Sequence, residues 1–345
     1  MSDLSAADRP FDNIINFRDV GKSINGLTGR RILKEGVLFR SARLDDASER
    51  DKRRLSNELH ISTVIDLRSV YFPLSPLNQA TRTDQENRTE HRMAAQRRRE
   101  QHPFPQPTQE HSASETGPDE QSNLMEDDYT HLDTLLGINR VLISLTGKAW
   151  ERSLIWRLDW VNFFKVLGLS ASGYRTEAVK IVVQEVMAPR GLIGLGQDTL
   201  DYSTSEIREM FDLLAGEHTP ATDDTDNDEN EKDGGEVLPL LLHCTQGKDR
   251  TGIIILLLLL LTHVPEDAIS DDYVRSESEL VVEAEERLKE IRAMGIPEEY
   301  IKCPAGFTGA IRGYLGERYG GVEGYLEIVG VGKETQNKIK ERLLA

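Results

Sequence analysis

One cysteine and one arginine, separated by five residues, stand where a short apolar run meets a longer one. The sequence His243-Cys244-Thr245-Gln246-Gly247-Lys248-Asp249-Arg250-Thr251-Gly252 follows the apolar run 237–242 and precedes the aliphatic run 253–261. These runs predict a buried strand, a turn and a buried helix. Unpaired N–H groups at a helix N-terminus bind anions, and their field favours a thiolate over a thiol. We therefore expect a phosphate-binding loop that contains a nucleophilic sulfur.

The side chains of this loop suit the transfer of a phosphoryl group. Cys244 is the expected nucleophile, and the planar fork of Arg250 can hold two phosphoryl oxygens in the ground state and in the transition state. Thr251 is a candidate hydrogen-bond donor to the sulfur, and His243 a candidate to orient the cysteine backbone. The expected phosphate-binding positions within the turn are Thr245, Gln246, Gly247 and Lys248.

The loop sequence allows two other interpretations. A nucleotide-binding loop requires Ser or Thr after Gly-Lys, but Asp249 follows Lys248 and no glycine lies five residues before Gly247, so this interpretation is rejected. Cys244 is alternatively an inert core residue and Arg250 a surface charge. The surrounding His, Gly-Lys and Thr-Gly residues favour the chemical interpretation.

The loop resembles that of the cysteine-dependent phosphatases with a His-Cys-x5-Arg signature. It is most similar to the tyrosine phosphatase family of bacteria and fungi, whose loop reads Gly-Lys-Asp-Arg-Thr-Gly. Three further stretches agree in order and spacing, namely Asn16-Phe17-Arg18-Asp19-Val20-Gly21, Leu38-Phe39-Arg40-Ser41-Ala42 and Val64-Ile65-Asp66-Leu67-Arg68-Ser69. Apart from two polar insertions, the resemblance covers nearly the whole chain.

This resemblance implies an α/β fold in which helices flank a central, mostly parallel sheet. It also implies a phosphocysteine intermediate and no metal or other cofactor. The implied substrates range from proteins that carry phosphotyrosine or phosphoserine to phosphoinositides. A phosphatase-shaped scaffold that captures phosphorylated ligands without turnover is the alternative from another class, but the intact Cys244, Arg250 and Thr251 argue against it.

The general acid is not identified by the resemblance alone. The Trp-Pro-Asp tripeptide of better-known tyrosine phosphatases is absent, yet the leaving oxygen needs a proton. Asp249, beside Arg250 in the loop, is the first candidate. Asp66 is the second, because it ends a predicted strand (62–67) that would point to the same pocket if it runs parallel to 237–242. Pairing with Arg68 to fix a turn is an equally good explanation of Asp66.

Charge and cysteine content bound the partners and the compartment. The net charge of −17 argues against nucleic acid or an anionic membrane as the main partner. Against this background, Arg18, Arg40 and Arg68 fall in the matching motifs and suggest a positive pocket for an anionic substrate. The presence of only two cysteines and the polar first residues favour a reducing compartment, cytosolic or nuclear. Cys303, far from any partner histidine, is interpreted as a bystander.

The chain is expected to form a single domain of 345 residues with two disordered insertions. Residues 78–128 lack apolar periodicity, and residues 217–236 hold nine acids and one lysine. The run 253–261 is shorter than the roughly 20 residues of a membrane span, so we expect a core helix and no stable membrane insertion.

The aromatic segment after residue 149 allows more than one structure. Trp150, Leu154, Leu158 and Val161 have the spacing of one helical face. The neighbouring aromatic residues either fill the core or, as the resemblance implies for helices of this region, contribute to a lid over the pocket. These residues are Trp156, Trp160, Phe163 and Phe164.

Overall fold

The structure is a computed structural model that describes residues 11–68, 137–217 and 237–345. These ranges all belong to one compact unit. The predicted insertion 78–128 lies outside the described residues, and so does the predicted insertion 217–236 except for its first residue. Their predicted disorder therefore stays a prediction.

Five short strands form one sheet with the spatial order β1-β2-β5-β3-β4. Only β1 and β2 pair antiparallel, and the pairs β2·β5, β5·β3 and β3·β4 are parallel. The apolar runs of β3 and β5 are buried on both faces because they occupy inner positions. The α/β prediction with a mostly parallel sheet is confirmed. The strands are β1 (Arg18–Asp19), β2 (Leu38–Ser41), β3 (Thr63–Asp66), β4 (Asn139–Leu142) and β5 (Leu240–His243).

Helices pack around this sheet and account for most of the described chain. A π-helical turn extends α2 over Arg54–Glu58 and another extends α5 over Val183–Met187; short 3₁₀ turns lie at Val281–Glu283 and Glu298–Ile301. The α-helices are α1 (Val20–Thr28), α2 (Glu49–Arg53), α3 (Lys148–Ile155), α4 (Trp160–Ala171), α5 (Arg175–Val182), α6 (Ala188–Tyr202), α7 (Thr204–Ala215), α8 (Asp249–Leu261), α9 (Glu266–Leu280), α10 (Ala284–Met294), α11 (Phe307–Tyr319), α12 (Val322–Ile328) and α13 (Lys333–Leu343).

Helix α8 is the centre of the main apolar core. Its aliphatic residues 253–259 and Leu261 are buried in one apolar cluster with residues of β5, α7, α11 and α12, and the helix directly contacts α6, α9 and α12. A helix that is apolar on all sides must be covered on all sides, which explains why the other helices surround it. The core-helix prediction is confirmed. Among the described residues, no helix combines the length and apolar character needed to cross a membrane.

A second apolar cluster lies in the helical segment after β4. It includes Trp150, Leu154, Leu158 and Val166 and the buried valines of α5. The predicted single helical face from Trp150 to Val161 is wrong, because α3 ends at Ile155 and α4 begins at Trp160. The carboxylate of Asp159 accepts N–H groups of the first turn of α4 and so caps the new helix.

Candidate active site

The loop between β5 and α8 is held tightly against the neighbouring strand β2. Gly247 has φ +65°, and a Cβ atom on it would lie 2.1 Å from the carbonyl oxygen of Ser41. Only glycine fits this conformation and this close approach. The loop is also tied from outside, because the amide of Asn16 donates to the carbonyl of Gln246 and the backbone N–H of Arg43 donates to the carbonyl of Thr245.

Cys244 lies at the base of this loop with a backbone donor on its sulfur. The N–H of Gly247 donates to Sγ at 3.2 Å, and the residue is 3% exposed. Thr251, in the first turn of α8, has a fully buried hydroxyl with no hydrogen-bond partner in the part of the chain that the structure describes. A buried hydroxyl without a partner is costly, so this group is available to a sulfur or phosphoryl oxygen.

Arg250 folds over the loop. One guanidinium nitrogen donates to the hydroxyl oxygen of Thr245 at 3.0 Å, and the other reaches the carbonyl of Leu67 at 3.4 Å. The side chain thus bridges the cysteine loop and the end of β3.

Asp66 and His243 face each other across the parallel pair β3·β5. They occupy the same register position, with 3.8 Å between the histidine Nε2 and the carboxylate. Burial alone would raise the pKa of Asp66, but the field of His243 and the hydrogen bonds and charge of Arg68 lower it to about 2. Burial lowers the pKa of His243, which favours the neutral ring. Asp66 is therefore an ionised carboxylate, 4% exposed, that binds Arg68.

Arg68 does not project freely into a pocket. It donates to both oxygens of Asp66, and its other guanidinium nitrogens pair with Asp45. The interpretation in which Asp66 and Arg68 fix a turn describes this geometry, since the backbone N–H of Arg68 also donates to the Asp66 carboxylate.

Asp249 and Lys248 occupy different environments although they are adjacent. The Asp249 side chain, at the first residue of α8, is 40% exposed, but its Oδ1 atom is buried, has no hydrogen-bond partner among the residues described and lies 3.7 Å from the ammonium of Lys248. Lys248 is fully buried, and its ammonium donates to three backbone carbonyls in residues 300–302 at 2.7–3.1 Å. Lys248 thus anchors the loop to the 3₁₀ turn Glu298–Ile301.

Arg18 and Arg40 lie beneath the loop, and the expectation that they line a substrate pocket needs correction. Both guanidinium groups are buried and pair with the carboxylate of Asp272 at 2.8 Å. Arg40 also donates to the carbonyl of Gly247 at 2.7 Å. The two positive charges lower the pKa of Asp272 against the effect of its burial, which alone would raise it. These arginines therefore support the loop.

Asp272 and Asn16 are the site residues that the sequence reasoning did not single out. Asn16 belongs to a stretch that resembles the family pattern, whereas Asp272 is 232 positions from Arg40, so its partner could not be read from spacing. The sequence signal that could have identified it is its spacing, because Asp272 follows Ala268 by four residues and Ile269 by three and so shares their buried face of α9.

Cys303 differs from Cys244 in its surroundings. Its thiol is buried beside the carbonyl of Tyr273, with 3.5 Å between sulfur and oxygen. Burial raises the pKa of Cys303 to about 11. A thiol that stays protonated is a poor nucleophile, which agrees with its interpretation as a bystander. The described ranges contain no group of three or more His, Cys, Asp or Glu residues arranged to hold a metal ion.

These features place the chain among α/β proteins in which a Cys-x5-Arg loop joins a central parallel strand to a buried helix. The sequence model described as the tyrosine phosphatase family matches residues 9–142 and 178–345. The chain therefore belongs to the tyrosine phosphatase family. The two matched ranges leave out residues 143–177, which contain α3 and α4.

Two curated relatives are similar to part of the chain. A tyrosine-protein phosphatase of Nostoc commune is 37% identical over 153 residues, which is 42% of this chain and 46% of that protein. The triple specificity protein phosphatase PtpB of Mycobacterium tuberculosis is 30% identical over 122 residues, 31% of this chain and 44% of that protein. The matched region thus spans less than half the length of these relatives.

Proposed function

We propose that this protein is a phosphomonoesterase that removes phosphate from tyrosine residues of proteins through a phosphocysteine intermediate on Cys244. The single observation that carries the proposal is the loop itself, where a backbone N–H donates to the sulfur of Cys244 and the guanidinium of Arg250 donates to Thr245 of the same loop. Family membership supports the same reaction class.

In the proposed cycle, the Cys244 thiolate attacks phosphorus and the bond to the leaving oxygen breaks. The loop N–H groups and Arg250 stabilise the charge that develops on the equatorial oxygens. The leaving oxygen takes a proton from Asp249. Water then attacks the phosphocysteine, Asp249 accepts a proton from that water, and inorganic phosphate leaves as the thiolate is regenerated. Every step uses groups of the chain, the substrate and water.

Asp249 is proposed as the acid in preference to Asp66. The Asp249 side chain is 40% exposed and its Oδ1 atom has no hydrogen-bond partner among the residues described, whereas Asp66 is 4% exposed and both of its oxygens accept hydrogen bonds from Arg68. The field of His243 and the hydrogen bonds of Arg68 lower the pKa of Asp66 to about 2 against the effect of its burial, so this carboxylate is held ionised by its ion pair and is a poor proton donor. The hydroxyl of Thr251 is proposed to stabilise the sulfur when it leaves phosphorus.

Phosphoinositides are the alternative substrate class, and an additional positive charge in the loop, as on Lys248, would favour them. That charge is taken up by the carbonyls of residues 300–302, so it gives no ground for preferring a lipid headgroup. Phosphotyrosine in proteins remains the proposed substrate. Dual specificity and the cytoplasmic compartment remain predictions from the sequence.

The test compares phosphate release from a phosphotyrosine peptide, a phosphoserine peptide and a soluble short-chain phosphoinositide. We expect the phosphotyrosine peptide to react fastest and Cys244→Ser to lower its rate at least about a thousandfold. Undiminished turnover by Cys244→Ser would contradict the proposed mechanism. A faster rate on the phosphoinositide would contradict the substrate assignment while leaving the mechanism intact.

The assignment of the acid is tested by the pH dependence of kcat in two variants. If Asp249 donates the proton, the rate of the wild type falls as pH rises through the pKa of the acid, and Asp249→Asn lacks that basic limb. Asp66→Asn keeps it. Loss of the limb only in Asp66→Asn, or in neither variant, would show that Asp249 is not the donor.

A further inference from the structure

An apolar surface on α4 and on its junction with α3 faces solvent. We call it the aromatic surface and define it by six residues. Five of them are 49–74% exposed and Phe163 is half-buried. The rings form a continuous group, with centroid distances of 5.7 Å from Trp156 to Phe163, 5.5 Å from Phe163 to Phe164 and 4.9 Å from Phe164 to Trp160. The six residues are Trp156, Trp160, Val161, Phe163, Phe164 and Leu167.

Of the two alternatives for these aromatic residues, filling the core does not describe Trp156, Trp160 and Phe164, which are exposed. The core contacts of the segment are made by Leu154, Leu158 and Val166, which belong to the second apolar cluster, and the half-buried ring of Phe163 packs against that cluster. Monomeric soluble proteins rarely leave a contiguous group of large apolar side chains in water, and such groups mark interaction sites. The surface also lies within residues 143–177, outside the ranges that the family model matches.

The charge around the aromatic surface is opposite to that of the whole chain. Residues 148–180 contain six Lys or Arg and three Asp or Glu, a net charge of +3, whereas the chain carries −17. Arg152, Lys165 and Arg175 are exposed on this helical segment. The overall charge, which argues against an anionic membrane as the main partner, thus does not describe this part of the protein.

We propose that the aromatic surface binds the surface of an anionic lipid bilayer. Trp, Phe and Leu beside Lys and Arg are the residues with which interfacial helices enter the headgroup region. The 12 residues of α4 correspond to about 18 Å of helix, well short of the roughly 30 Å of a bilayer core, so the helix lies in the interface and does not cross it.

A second copy of the chain fits this surface less well than a bilayer does. Two copies meeting through the aromatic surface would bring two segments of charge +3 together, and like charges across an interface oppose association. An anionic lipid surface gains from the same charges. The third possible occupant is the cysteine loop of the same chain, which the surface would cover as a lid.

The experiment uses the full chain with vesicles of phosphatidylcholine alone or mixed with phosphatidylserine. We expect sedimentation with the mixed vesicles only, and a blue shift of tryptophan emission, because Trp156 and Trp160 are exposed and Trp150 is the remaining, buried tryptophan. Trp156→Ser combined with Trp160→Ser should weaken binding at least about tenfold. Lys165→Glu should weaken it as well. Ile328→Ser, which removes an exposed apolar residue on α12, is the matched control and should bind as the wild type does.

Three outcomes would overturn the proposal. One is that the protein binds both kinds of vesicle equally, or binds neither. Another is a concentration-dependent dimer that the paired tryptophan substitutions abolish while vesicle binding is absent, since that identifies a second copy as the occupant. The third is that the paired tryptophan substitutions raise the activity on a soluble substrate while the wild type does not bind vesicles. That result would identify the surface as a lid over the cysteine loop. Because Cys244→Ser should bind vesicles as the wild type does, failure of the proposed enzymatic function would leave this result unchanged.

Discussion

At the scale of single residues, Asp272 couples the N-terminal motifs to the cysteine loop. Its buried carboxylate joins Arg18 and Arg40, and Arg40 in turn holds the carbonyl of Gly247. A buried carboxylate between two guanidinium groups remains ionised, and losing it leaves two buried cations without their partner. Asp272 is therefore a positioning residue, which acts on the loop through Arg40.

Asp272→Asn is expected to destabilise the protein by about 3 kcal/mol and to lower kcat more than it raises KM, because the loop loses its fixed geometry while phosphate contacts persist. Denaturant unfolding and steady-state kinetics on a small aryl phosphate measure the two effects. Asp272→Glu should restore part of kcat. An unchanged kcat in a folded Asp272→Asn protein would show that the carboxylate does not position the loop.

Gly247 provides a second test at this scale. Gly247→Ala should reduce kcat about a hundredfold, because a Cβ atom would lie 2.1 Å from the Ser41 carbonyl and φ is +65°. Gly26→Ala is the control, since a Cβ atom at position 26 of α1 meets nothing within 4 Å. Activity near that of the wild type in Gly247→Ala would mean that the loop does not need this conformation.

At the scale of elements, the strand–loop–helix unit could be predicted from the sequence. The ion pairs that hold the loop in place could not. The predicted strands and the core helix correspond to β3, β5 and α8, because a continuous run of apolar residues is enough to predict a buried element without knowledge of its neighbours. The break between α3 and α4 was missed, since Leu158 keeps the apolar spacing although it lies outside both helices. The pairing of Arg18 with Asp272 joins positions 254 residues apart, and no local pattern encodes it.

Lys248 joins the cysteine loop to the 3₁₀ turn that follows α10. Its ammonium satisfies three carbonyls around the 3₁₀ turn Glu298–Ile301. Lys248→Met should therefore lower the free energy of unfolding by about 3 kcal/mol, as buried acceptors lose their donor. Denaturant unfolding beside Lys333→Met, a substitution at an 82% exposed lysine side chain, measures the difference. Equal stability of the two variants would contradict the anchoring role.

At the scale of the whole molecule, buried ion pairs make the folded state sensitive to acid. The folded-state pKa of Asp66 lies near 2, below its ordinary value of 3.8. The unfolded chain therefore takes up the proton first as pH falls, so the stability from this group is complete above about pH 4 and declines towards pH 2.

The difference in unfolding free energy between the wild type and Asp66→Asn should follow the same range of pH. We expect it to be largest above about pH 4 and to shrink as the pH approaches 2. Urea unfolding at a series of pH values measures it. A difference that grows on acidification would show that Asp66 is protonated more readily in the folded protein than in the unfolded chain.

The most direct test of the central claim is to identify the phosphorylated residue during turnover. The protein is mixed with a labelled phosphotyrosine peptide, quenched within one turnover and cleaved, and the fragments are analysed by mass spectrometry. We expect the phosphoryl group on Cys244 and no labelled fragment from Cys244→Ser. Label on another residue would contradict the account. Turnover by the wild type without a phosphorylated cysteine would also contradict it if Cys244→Ser turns over at the same rate.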